Sequence, residues 1–136
     1  MSVTLEMLNH YRELQKDIDL DIQRRKRLEA EAYAVGAASL DAMPKSSEPH
    51  SRTERMAIKL VELHERLQAD ILAKVELEIE IRTFIEAQDA QMRLILKGRY
   101  ERRWSWSRVA LEANITTDAA KKAVYRLLAK GEDQKK

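Results

Sequence analysis

The sequence has no cysteine, which excludes disulfide staples, thiolate nucleophiles and thiolate metal sites. Three glycines and two prolines in 136 residues provide little for the tight turns that close β-sheets. Aromatic residues make up 5% of the chain, too few for a large sandwich core. No apolar run approaches the roughly eighteen residues of a membrane span. The opening Met1-Ser2-Val3-Thr4-Leu5-Glu6 lacks the basic stretch and apolar core of a secretory leader. These absences predict a chain with no membrane partner and a cytoplasmic location. What is abundant is charge, at 35% of residues. That profile belongs to long, solvent-washed helices, and the predicted class is all-α.

The net charge of +2 conceals an uneven distribution. From Met92 onward there are twelve Lys and Arg against five Asp and Glu, a balance of +7, so the preceding 91 residues carry −5. A basic C-terminal third on an acidic remainder points to a polyanionic partner for that third.

Two long amphipathic segments come first. Met7, Tyr11, Leu14, Ile18, Ile22, Leu28, Ala32 and Val35 recur every three or four residues, with Arg25 filling the one gap. They predict a helix over residues 3 to about 35 with a heptad-like seam, its remaining surface charged by residues such as Arg12, Glu13 and Lys16. Such a helix, about 50 Å long, needs a partner along its length to be stable in water. Gly36 is placed to end it, and Asp41, Pro44, Ser46, Ser47, Pro49 and Ser51 have loop composition, which sets a loop at about 36–52. A second helix is expected from Ser51 or Thr53 to Gln88. Its main stripe is Met56, Leu60, Leu63, Leu67, Ile71, Ile81 and Ile85, widened by Val61, Leu72, Val75, Ile79 and Phe84. Matched lengths predict a coiled-coil-like antiparallel hairpin, and the surplus apolar width predicts a homo-oligomer, dimer or higher. His10, His50 and His64 lack a ligand at helical spacing and read as surface or interface residues.

The last third breaks into shorter helices, expected at 89 to about 100, at 105 or 107 to about 113, and at 117 to about 130. Ser105 or Ser107 offers an N-cap, and Asn114-Ile115-Thr116 forms a short turn whose threonine can cap the next helix. Val109, Ala110, Ile115, Ala120 and Val124 are spaced to pack two short helices across that turn, the pattern of a helix-turn-helix. Its outward face would carry Thr117, Asp118, Lys121, Lys122 and Tyr125, which can meet base edges. Arg99, Arg102, Arg103, Arg108, Thr116 and Arg126 suit backbone phosphates. Trp104 and Trp106 read as core and helix-entry packing.

Arg93-Leu94-Ile95-Leu96-Lys97-Gly98-Arg99-Tyr100, Trp104-Ser105-Trp106-Ser107-Arg108-Val109-Ala110, Asn114-Ile115-Thr116 and Val124-Tyr125-Arg126-Leu127-Leu128 together resemble the region-4 helix-turn-helix of sigma-70-type factors. Asn114 takes the place of the usual turn glycine, and Ala120 that of a branched residue. The layout is similar to small phage-encoded late transcriptional regulators of the RinA and ArpU type. That resemblance implies a long helical hairpin followed by a C-terminal helix-turn-helix, with Thr117, Asp118, Lys121 and Lys122 facing the groove. The expected organisation is an oligomerisation stalk over 1–88, a DNA-binding module over 89–130 and a short mixed-charge tail over 131–136. The expected function is sequence-specific binding of double-stranded DNA as a phage or prophage transcriptional regulator, with activation the expected sign and RNA polymerase a candidate further partner. Two alternatives remain: a small terminase subunit recognising DNA for packaging, and a protein-interaction adaptor. No nucleophile-base pair, phosphate loop or metal cluster is apparent, so no enzyme activity and no cofactor is expected.

Overall fold

The computed structural model describes residues 3–42 and 51–133, with side chains at 3–34 and 51–130. Among the described residues every regular element is helical and there is no strand, in agreement with the predicted all-α class. The elements are α1 (Leu5–Ala42), α2 (Arg52–Glu86), α3 (Ala90–Leu96), a π-helical turn (Lys97–Glu101), α4 (Trp106–Ala113) and α5 (Thr117–Asp133).

Two boundaries differ from expectation. Helix α1 continues past Gly36 to Ala42, so the first part of the expected loop at 36–52 is helical, and residues 43–50 lie outside the described residues. The run Ala37-Ala38-Ser39-Leu40-Asp41-Ala42 is rich in good helix formers, and one interior glycine costs only about 1 kcal/mol relative to alanine. For the same reason α5 passes Lys130 and Gly131 to reach Asp133. The last three residues of the expected tail lie outside the described residues.

The chain divides into two compact units, one formed by Met1–Gln15 with Ala73–Lys136 and the other by Lys16–Leu72. The cut passes through α1 and α2. In the Lys16–Leu72 unit, Ile18, Leu63 and Leu67 are buried, with Ile22 and Leu28 packed against them. Asp17, Leu20 and Asp21 share a hollow with Arg66 and Asp70, whereas Leu28 and Glu31 share one with Lys59 and Glu62. The facing order is reversed, so the two segments run antiparallel within this unit. Asp21 is buried there, 4% exposed. Its Oδ2 accepts from Arg66 Nε at 3.0 Å, and its Oδ1 accepts from Arg66 Nη2 at 3.1 Å and Arg24 Nη1 at 3.0 Å. A buried carboxylate is tolerated only when so paired. The pair fixes which residue of α2 lies beside Asp21, since a slide along the helix would strand the charge.

The other unit has one core. Val3, Leu8 and Tyr11 of the N-terminal segment meet Ile81 and Ile85 of α2, Ile95 and Leu96 of α3, Tyr100, Val109 of α4, and Ala120, Val124 and Leu128 of α5. Asp89 starts α3 by accepting the Met92 N–H at 2.8 Å. The helix then widens. Arg102 N–H donates to the Lys97 carbonyl, five residues back, at 2.9 Å, and Arg103 ends the turn at φ 60°. Carbonyls freed at such an end need donors, and α1 supplies them. Gln15 Nε2 donates to Tyr100 O at 2.6 Å, and Arg12 donates to Arg99 O at 3.2 Å and Arg103 O at 3.4 Å. Arg12, expected on a solvated face, is therefore half-buried and holds the turn.

Gly98 lies under Trp104, whose indole Cε3 would sit 2.5 Å from a Cβ added there. Trp104 N–H also donates to the Gly98 carbonyl at 2.9 Å. Gly98→Ala is expected to destabilise the fold by about 1–3 kcal/mol through overpacking, measured by urea unfolding followed by tryptophan fluorescence.

Burial pushes the Tyr100 phenol up to about 12. Tyr11 is also pushed up to about 12, by burial first and then by the carboxylates of Glu78 and Glu101. An unfolded phenol ionises near pH 10, so in this range the folded chain holds protons that the unfolded chain releases. The stability these groups contribute is complete below pH 10 and is lost as pH rises from 10 toward about 12. Tyr100→Phe is accordingly expected to move the alkaline unfolding midpoint to higher pH, read by circular dichroism along a pH series.

Candidate nucleic-acid interface

Helices α4 and α5 are punctuated by short-range hydrogen bonds that the local residue types dictate. Ser105, in extended conformation, caps α4 by accepting the Arg108 N–H at 3.2 Å. Thr116 Oγ1 accepts the Ala119 N–H at 3.1 Å and caps α5. Between them Asn114 adopts the left-handed conformation, φ 61° and ψ 42°. Ile115 N–H then reaches Ala110 O at 3.0 Å and Asn114 N–H reaches Leu111 O at 3.3 Å. These two bonds form a Schellman closure, with Asn114 in the place glycine most often fills. Asparagine is among the few residues that tolerate this backbone region. Val109 and Ala110 of α4 and Ala120 and Val124 of α5 are all buried, so the small alanines sit in the packed faces of the two helices.

That packing decides which side of α5 is free. Asp118, Lys122, Tyr125 and Arg126 are exposed, and so is Lys130. Thr117 and Lys121 are half-buried at the flank of the packed face, so the free surface is rotated toward Lys122 and Arg126 relative to the expected reading face. Asp118 and Lys122 pair with each other at 3.0 Å. The Asp118 carboxylate also occupies the first turn of α5, where the helix dipole would otherwise attract a phosphate. Lys122, Arg126 and Lys130 recur every four residues and make a cationic ridge. Lys130, by the same four-residue spacing, extends the set expected from the sequence.

The arginines before and within α4 serve different ends. Arg99 is half-buried, donates through Nη1 to Trp104 O at 3.1 Å and lies 4.8 Å from the Trp106 ring centroid. Burial, and then the nearby Arg12, push its pKa down. It braces the turn and has little surface left for a phosphate. Arg103 is half-buried at its positive φ. Arg102 and Arg108 are exposed, and their guanidinium groups converge on Trp104, 5.2 Å and 4.6 Å from its ring centroid. An aromatic face holds cations without neutralising them, so Trp104 presents two arginines together. Trp104 and Trp106 themselves are partly buried against the core, as expected. Thr116 is exposed but its hydroxyl is engaged in the cap.

Among the described residues no cluster of three or more His, Asp or Glu could hold a metal ion, and no helix is long and apolar enough to cross a membrane. His10 and His64 are exposed, and His50 lies outside the described residues. Comparison with protein-family models, curated proteins and solved structures finds no match to this chain.

The left-handed turn residue gives a direct test. Asn114→Val is expected to cost about 1–2 kcal/mol of stability, because a β-branched residue resists this conformation. Asn114→Gly should change stability by less than about 0.5 kcal/mol, since relief of strain offsets the greater freedom of glycine in the unfolded chain. Thermal denaturation of the two variants beside the parent chain measures both.

Proposed function

We propose that α4 and α5 act as a helix-turn-helix that docks on double-stranded DNA. In this reading α1 and α2 form an antiparallel helical hairpin that brings two or more copies together, and the chain is a transcriptional regulator of the phage late-gene kind. The observation that carries the reading is the α4–Asn114–α5 unit itself. Two short helices are closed by a Schellman turn, their inner faces are apolar, and Lys122, Arg126 and Lys130 stand on the outer face of the second. The sequence resemblance to sigma region 4 supports the regulatory assignment, and the +7 balance of the C-terminal third supports a polyanionic partner.

Lys122, Arg126 and Lys130 would lie toward the groove or its bordering phosphates, with Tyr125 between them. Arg102 and Arg108, fanned over Trp104, would engage backbone phosphates and set the register. Pairing two such modules in one oligomer raises the effective concentration of the second for adjoining half-sites without any new contact.

The test is fluorescence anisotropy of the full chain on random-sequence duplexes across a salt series. For about six phosphates neutralised per module, the slope of log affinity against log salt is expected near −5. Lys122→Ala and Arg126→Ala should each weaken binding and make that slope shallower by about 0.9, with helicity unchanged. Absence of duplex binding at low ionic strength, or loss of helical signal in both variants, would overturn the proposal.

A further inference from the structure

Helix α2 carries two apolar stripes. Met56, Leu63, Leu67, Ile81 and Ile85 are buried. Ile58, Val61, Leu72, Val75 and Ile79 lie about 150° away around the same helix, by the helical repeat of about 100° per residue, and all are exposed. Val61 is 58%, Leu72 61% and Ile79 66% accessible. With Glu65 and Gln68 this second set falls at 58, 61, 65, 68, 72, 75 and 79, alternating steps of three and four, which is a heptad seam with a polar centre. Isolated exposed apolar residues need no explanation, but two apolar clusters that share one coiled-coil register do.

We propose that a second copy of this chain covers the seam through its own α2, running antiparallel. The register sets Val61 against Leu72 of the second copy and Ile58 against Val75 of the second copy, each contact occurring twice by symmetry. The two polar seam residues select this arrangement. In this register Glu65 meets Gln68 of the second copy, so a carboxylate accepts from an amide on both sides of the two-fold axis. Arg55 also comes beside Glu76 of the second copy. A shift of one heptad either way sets Val75 against Glu65 with Leu72 against Gln68, or Val61 against Glu65 with Ile58 against Gln68. A parallel pair would bring the two Glu65 carboxylates together in the seam. The positions flanking Glu65, which are Glu62, His64, Ala69 and Ile71, include no lysine or arginine to offset them. Of these arrangements only the antiparallel register buries apolar against apolar and keeps the polar layer together without setting carboxylate against carboxylate.

This names the contact for the oligomer of the proposed function. It rests on α2 alone, so it is tested without nucleic acid and its failure is distinguishable from failure of duplex binding. The chain has no cysteine, which makes single-cysteine variants clean reporters. Full-length Val61→Cys and Leu72→Cys chains, mixed and oxidised, are expected to form a disulfide-linked dimer. Neither should link efficiently alone, because identical positions would be offset by about 16 Å, beyond the roughly 7 Å a disulfide spans between Cα atoms. In sedimentation equilibrium the parent chain should dimerise, and Leu72→Glu should weaken the dimer about a hundredfold with helicity intact. The proposal is overturned by a parent chain monomeric at every concentration, by Val61→Cys linking to itself, or by equal yields from every pairing. A dimer unaffected by Leu72→Glu overturns it as well.

Discussion

The carbonyl groups released at the π-helical turn are the constraint on which the Met1–Gln15 and Ala73–Lys136 unit depends. A helix end in a packed interior must find hydrogen-bond donors for its last carbonyls, or lose the free energy of burying them unpaired. Here Arg12 and Gln15 reach from α1 to the carbonyls of Arg99, Tyr100 and Arg103. The chain then leaves the turn through the positive φ of Arg103. Trp104 folds back over Gly98, and that placement gives Arg102 and Arg108 a common aromatic support.

The Lys16–Leu72 unit solves a different problem. A pair of helices with leucine and isoleucine along both seams can slide by a turn at little cost in apolar contact. Asp21 removes that freedom, because its carboxylate is buried and its oxygens are matched by Arg24 and Arg66. Such a pair contributes more to register than to net stability, since desolvation offsets much of the attraction. In the proposed dimer the same logic recurs at the outward seam of α2, where Glu65 and Gln68 would be the polar positions that separate one register from its neighbours.

Local grammar was legible at the C-terminal end. Ser105, Thr116 and Asn114 cap or close their helices where their side-chain chemistry suggests, because capping is decided by residues within three or four positions of one another. Burial of Val109, Ala110, Ala120 and Val124 followed from spacing in the same way. The roles of the cations did not. Arg99 and Arg102 are three residues apart and identical in type, yet one is half-buried against Trp106 and the other lies exposed over Trp104. Nothing short-range separates them. Arg12, some ninety residues from its acceptors, carried no signal beyond its charge.

By itself the amino-acid sequence determined an all-helical chain, the approximate start of each helix, and the basic character of its C-terminal third. These depend on periodicity, caps and charge, which act locally or sum over residues. Only the tertiary structure decided that the first fifteen residues join the C-terminal helices in one core. It alone rotated the free face of α5 toward Lys122, Arg126 and Lys130, and separated the arginines that brace the turn from those left in solvent. An apolar stripe records that a surface must be covered, but the identity of the covering surface is settled by contacts between residues distant in the chain.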